Sequence, residues 1–285
     1  MSELAICDQC QSTEHKRHTL FEKRLGLLDH IEVLGCTQCG LVFLHPQPSD
    51  SELRSVYAAY DEIYDFVSVT KDRVENEYKD RLKLVKSLGI TDGKVLDIGA
   101  GVGGFLHIFK EAGYQVMGTE YSQEIIDLAL KHYGVKVDQR DITDLKGMKF
   151  RIIHSHHVLE HVREPRKYFR QVTDLLEDDG LFIFEVPNEF WNIVYSIRRM
   201  IGRPQKYPVY PSLHHLFFYR KSVLLKYLKQ TGLRPIDYNG YHNRHINHPN
   251  TIYRFVIKLA LKLFGNLGFG SVHFFVCSKT SSNSN

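Results

Sequence analysis

Apolar positions recur along this chain in two rhythms. Short continuous runs that stop at glycines or acids predict buried strands at Val95, Leu96 and Ile98, at Tyr114 to Thr119, and at Val135 to Val137. Helical spacing takes over elsewhere. Leu53, Val56, Tyr57 and Tyr60 share one stripe within 51–88, and Leu82, Val85 and Leu88 share a second, predicting helices that cover the following core. Ser122 is placed to cap a helix running to Lys131, with Glu124 and Asp127 in its early turns. A further helix is expected after Pro165, ending at the turn Asp178, Asp179 and Gly180.

The first of these strands runs straight into Gly99, Gly101, Gly103 and Gly104, where the backbone can turn sharply and approach a ligand. Gly99, Gly101 and Gly104 fit the GxGxxG pattern that seats a pyrophosphate at a helix start. Asp97, however, carries a negative charge into the same crevice, which disfavours a pyrophosphate and favours a cationic amino group or sulfonium. The turn therefore suits S-adenosylmethionine better than NAD. Glu120 ends the next strand at the offset, about 20 residues, where a carboxylate accepts ribose hydroxyls in doubly wound folds. Asp141 follows the third strand, where it can accept from an adenine amino group.

With three acids at three successive strand ends, the chain resembles the class I S-adenosylmethionine-dependent methyltransferases over roughly 75–278. The resemblance implies donor contacts from Asp97, Gly99, Ala100, Gly101, Gly103, Glu120, Tyr121, Asp141, Ile142 and His156. It also identifies FRIIHSHHVLEHV (150–162) as a fourth strand and its loop, and GLFIFEVPN (180–188) as a central fifth strand. Arg151 stands where many relatives carry Asp. The implied fold is α/β and Rossmann-like: a mostly parallel seven-stranded sheet whose last strand, Ser271 to Cys277, is antiparallel.

The 285 residues, 43% of them hydrophobic, suffice for one large core and an appendage. The expected division is a zinc module at 1–48, a helical cover at 49–90, and a catalytic domain at 91–280. A net charge of +4, with basic residues scattered, gives little reason to expect a nucleic-acid partner. No signal peptide is recognised before Cys7 and no apolar run approaches the ~18 to 20 residues of a membrane span, so a cytoplasmic protein is expected.

Cys7 with Cys10 and Cys36 with Cys39 form two CxxC knuckles, a pattern that brings four thiolates around a structural zinc ion. Redox pairs or loose thiols are the alternatives, and Cys277 reads as core. Methyltransferases acting on sugars or small molecules resemble this chain in carrying CxxC and CxxCGLVF ahead of the catalytic domain.

Transfer to a hydroxyl needs a base, and histidine titrates near working pH. His215, which matches a histidine that precedes an aromatic pair and a helix in related methyltransferases, is the first candidate; His157 is the second. The run 157–161 is also similar to the metal-associated EMLEH block of quinone O-methyltransferases, with His157 replacing the first Glu. A divalent-ion site there and a loop-orienting role for Glu160 and His161 are both open.

Insertions near 190–213 and 241–268 are expected to form lids over the acceptor. Within the second, Arg254, Lys258 and Lys262 share a stripe beside Phe255 and Leu259, which predicts either peripheral contact with a membrane or packing on the lid or a second subunit. The favoured acceptor is a small molecule, a sugar linked to a nucleotide, lipid or glycan. The rivals are O-methylation of a prenylated quinone precursor and an RNA-binding zinc module on a catalytically silent fold.

Overall fold

The computed structural model describes residues 4–18, 30–61, 66–190, 214–240, 255, 259 and 265–280. The core is a six-stranded sheet built from β4 (Lys94–Ile98), β5 (Gln115–Thr119), β6 (Phe150–His156), β7 (Leu176–Pro187), β9 (Leu233–Asn239) and β10 (Val272–Lys279), in the order β5-β4-β6-β7-β10-β9. Pairings from β5 to β7 are parallel, and β10 runs antiparallel to both β7 and β9. The expected Rossmann-like architecture is therefore present, with one difference in strand count. The stretch 135–138 joins the outer edge through a single parallel bridge, Thr119 to Asp138, rather than a full seventh strand. Val135 and Val137 are nevertheless buried, so this edge spends its apolar side chains on packing while keeping only one rung of ladder.

β6 is buried along nearly its whole length, as a parallel strand covered on both faces must be. Against the sheet pack α4 (Gly104–Glu111), α5 (Gln123–Tyr133) and α6 (Pro165–Leu175). Ser122 caps α5 by accepting from the Ile125 amide at 3.4 Å. Tyr168, Phe169, Val172 and Leu175 form the buried stripe of α6, where Phe169 stacks on Tyr227 of α7 (Lys221–Gln230). This helix ends at Leu175 and β7 begins at once, earlier than the turn at Gly180 suggested, because Leu176 is already buried beside Phe150.

The segment ahead of the core folds as α1 (Asp50–Asp61), α2 (Phe66–Arg73), a π-helical turn at Val74–Tyr78 and α3 (Lys79–Ser87). A second sheet contains β1 (His15–Arg17), β2 (Glu32–Cys36), β3 (Val42–His45) and β8 (Phe217–Phe218), in that order. Its last strand thus comes from far along the chain, beyond β7, so the N-terminal module and the catalytic half complete one ladder together. The expected lid at 190–213 lies outside the described residues apart from Phe190, as does most of 241–268. Among the described residues, no helix is long and apolar enough to cross a membrane.

Candidate active site

In sequence order the sheet grows outward from β4 to β5 and then returns to the other side of β4, which opens a crevice at the carboxyl ends of the strands. The glycine turn lies there. Gly99 and Gly101 adopt φ of 65° and 54°, a region costly for residues with a Cβ. At Gly99 a Cβ would strike the Val158 side chain, whereas at Gly101 it would meet nothing within 4 Å. Gly99 thus serves close packing, and Gly101 faces open space that a ligand can approach. Ala100 donates its amide to Thr119, and Gly103, at φ 80°, begins α4.

Glu120 stands beside this turn. Its Oε2 accepts from the Gly101 amide at 3.0 Å, and its Oε1 from the amides of Tyr121 (2.7 Å) and Ser122 (3.2 Å). A carboxylate has about four lone-pair sites, so capacity for a hydroxyl remains. Tyr121 is 81% exposed next to it. Asp141 Oδ1 accepts from the Thr143 amide and hydroxyl, capping the turn at Ile142–Leu145, and Ile142 is buried below. The Asp141 carboxylate therefore has one oxygen engaged in holding its own loop.

Asp97 departs from its expected posture. Its side chain does not project freely into the crevice; it is 3% exposed and held 2.6 Å from His154 Nδ1. His154 Nε2 in turn meets the Arg81 guanidinium, which can only donate, so the ring is neutral with its proton on Nδ1. Burial, against the pull of Asp97, lowers its pKa. Arg81 also pairs with Glu185 at 2.9 Å and Glu77 at 3.8 Å. His156, whose pKa burial pushes well down, lies 3.1 Å from Glu185 Oε1 and 3.3 Å from the Tyr78 hydroxyl. Arg81, Glu77 and Glu185 were not legible as site residues, although a lone Glu inside the apolar run FIFEVP was the available signal.

Across the crevice the chain brings His157, Glu160, His161, Glu189, His214 and His215 together. His157 has φ 57°, rare for a non-glycine residue, and donates its amide to the Glu185 carbonyl. Its Nδ1 is 3.1 Å from Glu160 and its Nε2 is 3.3 Å from Glu185. Burial opposes the charge on this ring, but the two carboxylates prevail and raise its pKa to about 9. Glu160, penalised by burial yet stabilised by His157, is lowered to about 2. His215 places Nδ1 2.6 Å from Glu189, whose charge overcomes burial and raises the ring above its ordinary pKa. Glu189 went unrecognised because it directly follows the fifth strand's VPN and has no periodic partner.

His161 donates Nδ1 to the His214 carbonyl at 2.8 Å, and burial lowers these two rings to about 4 and about 2. Oε2 of Glu160 and of Glu189 is buried with no hydrogen-bond partner among the described residues. Arg151, in contrast, pairs with Asp179 and Glu177 at the amino end of β6, away from the crevice.

At the N-terminus, Cys7, Cys10, Cys36 and Cys39 converge with all four Sγ atoms within 4.8 Å of one another. Cys7 and Cys39 are 3.5 Å apart, as are Cys10 and Cys36. Such a set of four sulfur ligands fits a tetrahedral metal ion. His161, His214 and His215, and separately His156, His157 and Glu185, also group ligand-type atoms within 4.8 Å.

Comparison with known proteins agrees with this layout. The profile of a family described as methyltransferase domain matches residues 71–238. A ubiquinone biosynthesis O-methyltransferase of Actinobacillus pleuropneumoniae serotype 7 is 29% identical over 171 residues, covering 55% of this chain and 72% of that protein. One from Coxiella burnetii is 29% identical over 173 residues, covering 57% and 73%. The crystal structure of an S-adenosylmethionine-dependent methyltransferase from Clostridium acetobutylicum superposes with a TM-score of 0.51 at 15% identity, over 79% of this chain and 99% of that one, a likeness of fold.

Proposed function

The chain belongs to the methyltransferase-domain family and is an S-adenosylmethionine-dependent methyltransferase; we propose that it methylates a phenolic hydroxyl of a small aromatic acceptor, with His215 as the general base. The His215–Glu189 pair carries this reading. Glu189 holds the ring with its proton on Nδ1, which leaves the Nε2 lone pair for the acceptor proton. His157 is less suited to the role of base. With a carboxylate at each nitrogen it is held as an imidazolium and has no lone pair to offer. The names of the relatives favour the aromatic acceptor over the sugar expected from the cysteine module.

The donor site fits on the residues present: open space above Gly101 and a carboxylate at Glu120, with Asp97 buried behind the turn against His154. Bound S-adenosylmethionine supplies an electrophilic methyl carbon. Glu120 is assigned to the ribose hydroxyls, Asp141 and Ile142 to the adenine, and the Gly99–Gly103 turn, with Ala100, to the methionine end. Tyr121 and His156 are assigned to the flanks of the donor. On the acceptor side, His215 takes the hydroxyl proton as the oxygen attacks, and the orphaned oxygens of Glu160 and Glu189 can accept from further acceptor hydroxyls. The chain thereby orients the oxygen and removes its proton at one place. Cys7, Cys10, Cys36 and Cys39 are assigned to a structural zinc ion.

The test incubates the protein with methyl-labelled donor and cell extract and identifies labelled products by mass spectrometry. A methylated phenol or catechol is expected. Label confined to nucleotide sugars or glycolipids overturns the aromatic reading.

A further inference from the structure

We propose that the four-cysteine module is the support that positions His215, so that loading of the cysteines with metal governs proton transfer without governing donor capture. This inference rests on His215 being the base.

His215 stands one residue before a bridge between the two halves of the chain. The Leu216 amide donates to the Glu160 carbonyl at 2.7 Å, and the Leu216 carbonyl accepts from the Leu44 amide at 3.0 Å. Immediately afterwards Phe217 and Phe218 pair with Phe43 and Val42. β8 is two residues long and, among the described residues, lies at the edge of its sheet with β3 as its one neighbour. A ladder this short does not persist without its partner. The conformation that delivers His215 to Glu189 is therefore held on one side by β3.

β3 is held by the cysteines in turn. β2 ends at Cys36, and the turn through Cys39 leads directly into β3, with Cys36 donating to the Leu41 carbonyl and accepting from the Gly40 amide. The second knuckle is thus the tip of the β2–β3 hairpin, and the thiols of Cys7 and Cys10 fasten that tip to the first knuckle. Both knuckles are themselves anchored. Asp8 accepts from the Arg166 amide at the start of α6 at 2.9 Å and from the Tyr227 hydroxyl on α7 at 2.7 Å, and Lys226 donates to the Cys39 carbonyl. These anchors lie on α6, α7 and β8, whereas the donor turn is framed by β4, α4 and β5. Among the described residues, the anchors of the module thus fall on the side of the base.

Releasing the thiols should loosen the hairpin tip and leave His215 in several orientations while the glycine turn stands. A base displaced by about 1 Å loses about a hundredfold in rate, which makes this support consequential. The experiment uses the full chain with Cys36→Ser, which removes a ligand, and Asp8→Ala, which keeps all four thiols but removes the knuckle's bonds to the Arg166 amide and the Tyr227 hydroxyl. Three quantities are read: zinc per chain, affinity for S-adenosylhomocysteine by calorimetry, and the downfield imidazole N–H proton of His215, assigned by its absence in His215→Gln. The His215 signal is expected to vanish or shift in both variants while product affinity stays within about twofold. An unchanged His215 signal in both variants overturns the proposal, and so does a parallel loss of product affinity, which would mean general unfolding. Turnover of extract acceptors by His215→Gln is measured separately. If that variant retains turnover the base reading fails, a result distinct from failure of the module variants.

Discussion

His215 gains its chemical character from one neighbour. Near neutral pH a buried imidazole is ordinarily uncharged, and His161 and His214 obey that rule in the same pocket. Glu189 at 2.6 Å pushes His215 the other way, above its ordinary pKa, and in the neutral ring fixes the proton on Nδ1. His215→Gln is expected to reduce kcat about a hundredfold or more, with S-adenosylhomocysteine affinity unchanged by calorimetry. Glu189→Gln removes the carboxylate that raises the ring. The base must be neutral to act, so the acid limb of the pH–rate profile lies above the ordinary ~6.5 in the parent and is expected to move to lower pH in the variant. An acid limb that stays in place would count against the pair.

Glu120 shows how a strand end gathers backbone amides beside a crevice. It closes β5 and draws three amides, including that of Gly101, toward one carboxylate. Glu120→Ala is expected to weaken S-adenosylhomocysteine binding by about 1 to 3 kcal/mol, measured by calorimetry, through loss of a charged acceptor and a looser turn. The loop joining β6 to α6 does comparable work on the other side. Glu160 in its short 3-10 turn and Glu185 on β7 hold His157 between them. A ring whose pKa is raised to about 9 binds its proton more tightly folded than unfolded. Its contribution is complete below ~6.5 and is lost as pH climbs through about 9. Urea titrations from pH 6 to 10 are therefore expected to show an alkaline decline in stability that His157→Gln reduces. An identical decline in both proteins would refute the assignment.

The whole molecule links a metal-type knuckle to a catalytic sheet through a shared ladder, and removal of the metal tests that union. A zinc ion at four thiolates is expected at one per chain, and chelation should lower Tm; full thermal stability in metal-free protein would argue for bare thiols. The strand rhythm, the glycine turn, Ser122 as a cap and the two CxxC knuckles were all legible along the chain, because each depends on neighbours within a few residues. The placing of acids at successive strand ends was legible for a related reason, since strand ends in a parallel sheet bring residues about 20 apart to a common edge, but the burial of Asp97 against His154 was not. The third strand was misjudged in extent, since burial of Val135 and Val137 does not require a full ladder. The partners of the histidines were hidden. Glu185, Glu189 and Arg81 meet them only after strands far apart in sequence lie side by side, and nothing in local spacing foretells which buried carboxylate faces which ring. Local composition thus specified the elements and the acid-bearing edge of the sheet, whereas protonation, tautomer and the bridge from the cysteines to His215 arose from long-range packing, where burial and charge act across space rather than along the chain.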